Sequence, residues 1–209
     1  MQKIIATAGM LGLIAFSGPV LGDAARSLPM CNGCHGADGV SGLPPDAPLI
    51  AGIPAALQED VLYAYDGAYE CWPPGLMCQI VASFTEDDIE ELAAHFAEMP
   101  YKPAGDDFDA ALAAEGEKIH KADCSICHGM DGLGNTQSSI LQGQKIVYLR
   151  NAIKQYAAGK REQLPAMQDN ISALTPEQTE AAVSRRQDRD RRGCSKRQTA
   201  LPVFDNQDR

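Results

Sequence analysis

The sequence predicts an all-α protein made of two tandem copies of one small helical unit. The first observation is a repeat, in which Cys31–Gly39 recurs as Cys124–Gly132 with the same cysteines, histidine, aspartate and two glycines. Further matches follow in the same order: Leu49–Gly52 with Ile140–Gly143, Met77 with Met167, and Thr85–Asp88 with Thr175–Gln178. Matches in one order at nearly constant spacing indicate two copies of a structural unit. The second observation is that apolar residues recur at helical spacing, while no segment alternates as a strand does.

The N-terminus has the layout of a secretory signal peptide. Lys3 precedes an apolar run over Ile4–Phe16, and small or apolar residues then lead to Gly22 and the polar Asp23. This layout predicts a signal peptide over residues 1–22 that is cleaved after Gly22. The alternative is a membrane anchor, but the run is shorter than the roughly 20 residues that span a bilayer. We therefore expect an exported, periplasmic protein whose mature chain is not inserted in the membrane.

The first unit is predicted over residues 23–100 and contains a helix over Pro54–Tyr65. A later helix begins after Thr85, where Thr85 and Asp88 resemble a capping box. Behind this cap, Ile89, Leu92, Ala93 and Phe96 form one apolar stripe. A linker rich in helix breakers follows at residues 101–107.

The second unit is predicted over residues 108–183. It opens with a helix over Phe108–His120, for which Asp106 or Asp107 is the expected cap. A further helix is expected over Lys145–Ala158. Units of this size have little apolar core of their own, so a large buried cofactor is expected to contribute to folding.

Residues 184–209 form a basic tail that departs from the repeat. The closing helix of the first unit has Phe96 where the second unit has Arg186, and no apolar stripe continues beyond it. Three explanations stay open: a basic interaction tail, a disordered end, and a frameshifted reading frame whose true product continues the helix.

The net charge of −10 is concentrated in the first half of the chain, where acidic residues far outnumber basic ones. This distribution excludes nucleic acid and anionic lipid as natural partners. It fits a partner with a basic face, and it also fits a simple requirement for solubility.

The repeated Cys-x-x-Cys-His motif is the attachment signature of c-type haem. Two thiols two residues apart add to the two haem vinyl groups, and the adjacent histidine becomes the proximal iron ligand. The motif therefore predicts two covalently bound haem c groups, held by Cys31, Cys34 and His35 and by Cys124, Cys127 and His128. A zinc site would need a second pair of Cys or His ligands, and a thiol redox pair would not need a histidine beside it twice.

Methionine is the usual sixth ligand in electron-transfer cytochromes c. Met77 and Met167 occupy matching places in the repeat, after the long helix and before the last one. We expect them to complete the two iron sites, although a methionine is also an ordinary core residue. His95 and His120 are the other ligands considered: His95 falls on a helix, and His120 is too close to Cys124 to cross to the far face.

Cys71 and Cys78 flank Met77 and have no counterparts in the second unit. In an oxidising compartment they are expected to form a disulfide that braces the Met77 loop, with two free thiols as the alternative.

Each unit resembles a class I cytochrome c, and the pair resembles dihaem cytochromes c. A narrower resemblance is to the cytochrome subunit of flavocytochrome c sulfide dehydrogenase. It rests on Ala94–Phe96, Tyr101–Ala104, Phe108–Ala113, Gly116, Lys118, His120 and the second haem motif. The resemblance implies a partner flavoprotein, containing FAD, that oxidises sulfide and passes electrons through the two haems to a soluble or membrane-bound acceptor.

Three functions follow for the chain. The first is the haem subunit of a sulfide-oxidising flavocytochrome, which is an electron-transfer subunit of an enzyme and has no catalytic residues of its own. The second is a free-standing dihaem carrier that serves a terminal oxidase or reductase. The third, a haem peroxidase or sensor, requires an open iron site and therefore requires that Met77 or Met167 does not bind iron.

Overall fold

The computed structural model describes residues 24–66, 76–161 and 164–188. Its regular elements are helices, and within these residues the only β-type pairing is an isolated bridge between Asn135 and Ser138. The first half of the chain contains α1 (Ala24–His35), α2 (Ala55–Asp66), α3 (Leu76–Val81) and α4 (Glu86–Ala97). The second half contains α5 (Ala110–Ile119), a π-helical turn (His120–Cys124), α6 (Ser125–His128), α7 (Ile146–Ala157), α8 (Pro165–Ser172) and α9 (Pro176–Asp188). The predicted all-α fold class is confirmed.

In the first half α4 contacts both α2 and α1, and its crossing with α1 encloses the buried cluster. The predicted capping box begins α4: the Thr85 amide donates to Asp88 Oδ2 at 2.9 Å, and the Asp88 amide donates to Thr85 Oγ1 at 3.2 Å. The cap fixes the phase of the helix, so Leu92 and Phe96 both face inward and are almost fully buried. Side chains of α1 and the flanking loops complete this cluster: Leu28, Cys31, Ile50, Phe84 and Met99.

The second half repeats this crossing with α5 and α9. Gly116 makes the close approach possible, because a Cβ atom on it would lie 2.0 Å from the carbonyl oxygen of Ala181. Thr175 and Gln178 form a second capping box at the start of α9, through hydrogen bonds of 2.9 and 3.2 Å. α9 therefore enters the crossing in the same way as α4.

The predicted linker, residues 101–107, is bound to the second half. The Ala104 amide donates to the carbonyl of Gly143 at 2.7 Å, and the Tyr101 hydroxyl donates to the carbonyl of Gln142. Asp106 accepts the first amide of α7, from Ile146, at 2.7 Å. The cap of α5 is instead Asp109, which accepts from the amides of Ala111 and Leu112, so the expected cap at Asp106 or Asp107 is wrong.

Helix α9 extends to Asp188 and so includes the first residues of the predicted tail. Ser184 and Arg185 are buried in it, at 6% and 1% exposure. The predicted signal peptide and residues 189–209 of the tail lie outside the described residues. Within the described part of the chain, no helix is long and apolar enough to cross a bilayer.

Candidate haem-attachment sites

The first Cys-x-x-Cys-His motif forms the C-terminal end of α1. Cys31 and Cys34 are three residues apart on a helix, which places their side chains on one face. Both thiols are free and half-buried. Burial raises the pKa of the Cys31 thiol, and the neighbouring Cys34 adds to this effect. Gly36 ends the helix with φ +83°, so the chain turns away immediately after the histidine.

His35 is buried and oriented by a backbone carbonyl. Its ring is only 7% exposed, and its Nδ1 lies 2.8 Å from the carbonyl oxygen of Pro48. Since a carbonyl only accepts, Nδ1 must carry the proton and Nε2 is left as the basic nitrogen. Burial lowers the pKa of His35, which favours the neutral imidazole that a metal ion requires.

The second motif follows a π-helical turn and forms the short helix α6. Cys124 is half-buried, Cys127 is exposed, and neither takes part in a disulfide. His128 Nδ1 lies 3.1 Å from the carbonyl oxygen of Ser139. Each histidine is thus held by a carbonyl from the loop that follows its own motif, which fixes the same tautomer in both halves.

Two buried side chains hold the backbone directly after His128. His120 Nε2 lies 2.7 Å from the carbonyl oxygen of Gly129, and the Arg185 guanidinium donates to the carbonyl of Met130 at 2.9 Å. Each of the two side chains is 1% exposed. Sequence reasoning assigned neither residue this role. His120 was singled out as part of the family resemblance and as a possible iron ligand. Arg185 lies in the segment that departs from the repeat.

The two predicted methionine ligands occupy equivalent positions. Met77 is the second residue of α3 and Met167 the third of α8, each in the helix just before a capping box, and each is half-buried. The end of α8 is joined to the second motif by Asn170, whose side chain donates to the carbonyl of Asp123 at 2.9 Å. Cys78, beside Met77, is disulfide-bonded, while Cys71 lies outside the described residues. Iron ligation by the two methionines stays a prediction.

Comparisons with known proteins agree with this geometry. The family described as cytochrome c oxidase, cbb3-type, subunit III matches residues 111–184. Cytochrome c-553 of Desulfomicrobium norvegicum is 38% identical over 73 residues, which are 34% of this chain and 89% of that protein. The chain belongs to the cytochrome c family.

Similarity to dihaem relatives extends over both halves of this cytochrome c. Cytochrome c4 of Stutzerimonas stutzeri is 26% identical over 180 residues, which are 76% of this chain and 82% of that protein. The solved structure of Acidithiobacillus ferrooxidans cytochrome c4 superposes with a TM-score of 0.68 at 26% identity, and covers 75% of this chain and 97% of that one. The protein is therefore a dihaem class I cytochrome c with two covalently bound haem c groups.

The residues of this dihaem cytochrome c fit such groups. Four cysteines that are not in disulfides lie in two pairs at the required spacing, each pair beside a histidine in the ligand tautomer. Neither α2, which precedes the Met77 helix, nor α8, which contains Met167, has a fully buried residue. A covalently attached apolar macrocycle supplies the surface against which such helices pack. When bound, the haem iron supplies reversible one-electron chemistry.

The two halves of the cytochrome meet at a cluster of tyrosines around Arg161. The guanidinium carbon lies 5.6 Å from the ring centroid of Tyr148 and 5.5 Å from that of Tyr156, within the range of cation–π attraction. Tyr65 of α2 is an electrostatic neighbour of this cluster, and burial raises its pKa to about 12, with Tyr148 adding to the effect. The C-terminal ends of α2 and α7 therefore lie close to each other across the junction.

A cavity of about 520 Å³ lies beside this junction. Its walls are the loop after the first motif, with Ser41 and Leu43, and the start of α7, with Lys145 and Ile146. Asp106 from the linker closes one side. The two halves thus meet at two neighbouring places. One is the tyrosine cluster between α2 and α7, and the other lies between the loop after the first haem motif, the linker and the start of α7.

Proposed function

We propose that this chain is an exported dihaem electron carrier whose two iron sites are both closed. Cys31 and Cys34 attach the first haem, and His35 and Met77 are its axial ligands. The second haem is attached by Cys124 and Cys127, with His128 and Met167 as its axial ligands. The observation that supports this assignment is that each half places two cysteines outside any disulfide beside a histidine oriented by a backbone carbonyl.

The chemistry of such a site is electron transfer. With both axial positions filled, the iron has no position for a substrate, and the protein's role is to hold the haem and to set its reduction potential. His35 and His128 are held in place by the carbonyls of Pro48 and Ser139, so the ligands need little rearrangement when the iron changes charge. The chain supplies no substrate-oxidising residue of its own in this mechanism.

The repeat supports two cytochrome c domains, residues 23–100 and 108–183, joined by the linker at 101–107. The hydrogen bonds from Tyr101 and Ala104 to the second half give the linker a fixed course. The periplasm is the proposed compartment, because the N-terminal residues have the layout of a secretory signal and Cys78 is disulfide-bonded.

The ligand assignment is tested by replacing each methionine with leucine. Loss of a methionine–iron bond removes the weak long-wavelength absorption band of that haem and lowers its reduction potential. We expect M77L and M167L each to affect one haem, while Met130→Leu, at an exposed position beside the second motif, leaves both bands intact. An unchanged spectrum in M77L or M167L would remove that methionine from the assignment.

A free-standing carrier is the proposed setting, because similarity to cytochrome c4 extends over 76% of this chain. The haem subunit of a sulfide-oxidising flavocytochrome is the second candidate, favoured by the linker motif Tyr101–Ala104 and by Gly116, Lys118 and His120. Its partner would be an FAD-containing flavoprotein.

Purification from the native periplasm distinguishes the two settings. An isolated dihaem protein that is reduced by other carriers, but not by sulfide, supports the free-standing carrier. Co-purification of a flavin-containing subunit, with both haems reduced by sulfide, would replace it with the sulfide dehydrogenase subunit.

A further inference from the structure

Gln144 connects the second half of the chain to the backbone that orients His35. Its side-chain amide forms two hydrogen bonds with one residue: Oε1 accepts from the Leu49 amide at 2.8 Å, and Nε2 donates to the Leu49 carbonyl at 2.9 Å. Leu49 is fully buried and Gln144 is 3% exposed. A buried two-way contact of this kind leaves little freedom to the peptide that it holds.

The peptide held in this way follows directly on the ligand support. Pro48, whose carbonyl lies 2.8 Å from His35 Nδ1, is covalently joined to Leu49. The next residue after Gln144 holds the same loop at a second place, since Lys145 Nζ donates to the carbonyls of Gly42 and Pro44 at 2.7 and 3.0 Å. The loop that supports His35 is therefore attached to the second half at two places.

The repeat shows that the hydrogen bonds made by Gln144 and Lys145 have no counterpart in the other copy of the unit. Since Gly52 matches Gly143, the residues that match Gln144 and Lys145 are Ile53 and Pro54. Neither has a side-chain amide or ammonium group. The first half therefore has no equivalent residues with which to hold the loop around Ser139, which supports His128.

We propose that Gln144 is a positioning residue for the first haem, acting from the second half through Leu49 and Pro48 on His35. This proposal rests on the proposed role of His35 as an iron ligand. A carbonyl that accepts from Nδ1 makes the imidazole more basic and stabilises the ferric state. Release of the Leu49 peptide weakens the hydrogen bond between His35 Nδ1 and the Pro48 carbonyl, which raises the reduction potential of the first haem. The second haem is unaffected, because His128 keeps its hydrogen bond to the Ser139 carbonyl.

The test is spectroelectrochemical titration of the full-length dihaem protein carrying Gln144→Met, which keeps the length of the side chain and removes the amide. We expect the reduction equilibrium constant of the first haem to rise at least threefold, which is about 28 mV at 59 mV per tenfold change, and that of the second haem to stay within its error. Gln144→Asn, which withdraws the amide by one methylene, is the milder variant if Q144M yields no dihaem protein, and the same direction is expected. Gln178→Met is the matched control, because it also removes a hydrogen-bonded glutamine amide, but an exposed one in the capping box of α9 with no contact to Leu49.

Intact mass, which counts the attached haems, and an optical or magnetic spectrum, which reports the iron ligands, distinguish failure of the proposed function from failure of the role of Gln144. If wild-type protein does not carry two haems, or if His35 is shown not to bind iron, the proposed function fails before the role of Gln144 is tested. If both haems are attached and ligated, then a potential of the first haem that is unchanged, lowered, or shifted equally with the second overturns the role of Gln144. A rise confined to the first haem in Q144M, absent from Q178M, supports it.

Discussion

Arg185 provides the sharpest test of how the second half is closed. It is 1% exposed, its Nε lies 2.6 Å from Glu117 Oε2, and it also donates to the carbonyl of Met130 at 2.9 Å. Replacing it with methionine keeps much of the apolar stem but removes both interactions. The residue lies beyond the point where the repeat breaks down, so the test also shows whether this end of α9 belongs to the fold.

The expected loss of unfolding free energy depends on the two groups that lose Arg185 as a partner, the Met130 carbonyl and the Glu117 carboxylate. The Met130 carbonyl loses its partner in a partly buried hydrogen bond, which costs at most about 1–3 kcal/mol. Breaking a fully buried ion pair costs about 3–5 kcal/mol, but Glu117 is 28% exposed and keeps Lys121 at 3.3 Å, so its contribution is reduced. We therefore expect R185M to lower the free energy of unfolding by about 3 kcal/mol.

Urea unfolding of the dihaem protein, followed by helical circular dichroism, measures this change. The matched control is Arg150→Met. This variant breaks the ion pair between Arg150 on α7 and Glu180 on α9, two helices that contact each other. The Arg150 and Glu180 side chains are 30% and 40% exposed, so about 0–1 kcal/mol is expected there. If R185M costs no more than R150M, the reasoning from burial is refuted. The double variant R185M/E117Q should recover part of the loss, because it removes the carboxylate that has lost Arg185 and keeps Lys121 as a partner.

Three further predictions follow from single features. Replacing Cys31 and Cys34 together with serine should give a protein with one covalent haem, measured by intact mass, because the second motif is built separately. Gly116→Ala should destabilise the protein by about 1–3 kcal/mol in urea unfolding, because its Cβ would lie 2.0 Å from the Ala181 carbonyl oxygen. Hydrogen bonds from the Ser41 backbone, the Val40 backbone and the Ser41 hydroxyl lower the pKa of Asp38 from 3.8 to about 2. A lowered folded-state pKa contributes stability above pH 3.8 that is lost as the pH falls towards 2, so wild type should lose stability relative to D38N over that range.

Controls accompany these three. Gly33→Ala has open space around its Cβ and should be neutral or slightly stabilising, since alanine is the better helix former. Equal costs for G116A and G33A would contradict the close-approach argument. Two covalent haems in the double serine variant would contradict the assignment of the first motif, and parallel stability curves for wild type and D38N below pH 4 would contradict the role of Asp38, whose ordinary pKa is 3.8.

The local features of the fold were predictable from the sequence because they depend on near neighbours. The Thr85–Asp88 cap spans four residues, and its hydrogen bonds follow from residue type alone. The haem motif is equally local, since two cysteines and a histidine within one helical turn specify the chemistry.

Contacts between distant segments were not predictable in this way. Asp106 was expected to cap the next helix in the chain, but it caps α7, whose first amide is 40 positions away. In the sequence Gln144 is an ordinary polar residue, and nothing near it indicates that it hydrogen-bonds to Leu49, 95 positions earlier. Arg185 was assigned to a basic tail. The sequence around a single arginine does not show that its partners are the Glu117 carboxylate and the Met130 carbonyl. Such interactions are fixed by tertiary packing, which periodicity and motif spacing do not describe.

The helix leading into each haem motif departs from regular geometry at the same place. In the first half, Pro29 lies inside α1, two residues before Cys31, and removes one backbone N–H from the helical ladder. In the second half the corresponding residue, Ala122, is the centre of the π-helical turn. One added residue in a π turn shifts the angular phase of everything that follows by about 100°. The two copies of the unit thus change the helical hydrogen-bond pattern just before their cysteines by different chemical means, a proline within a continuous helix in one and a π turn in the other.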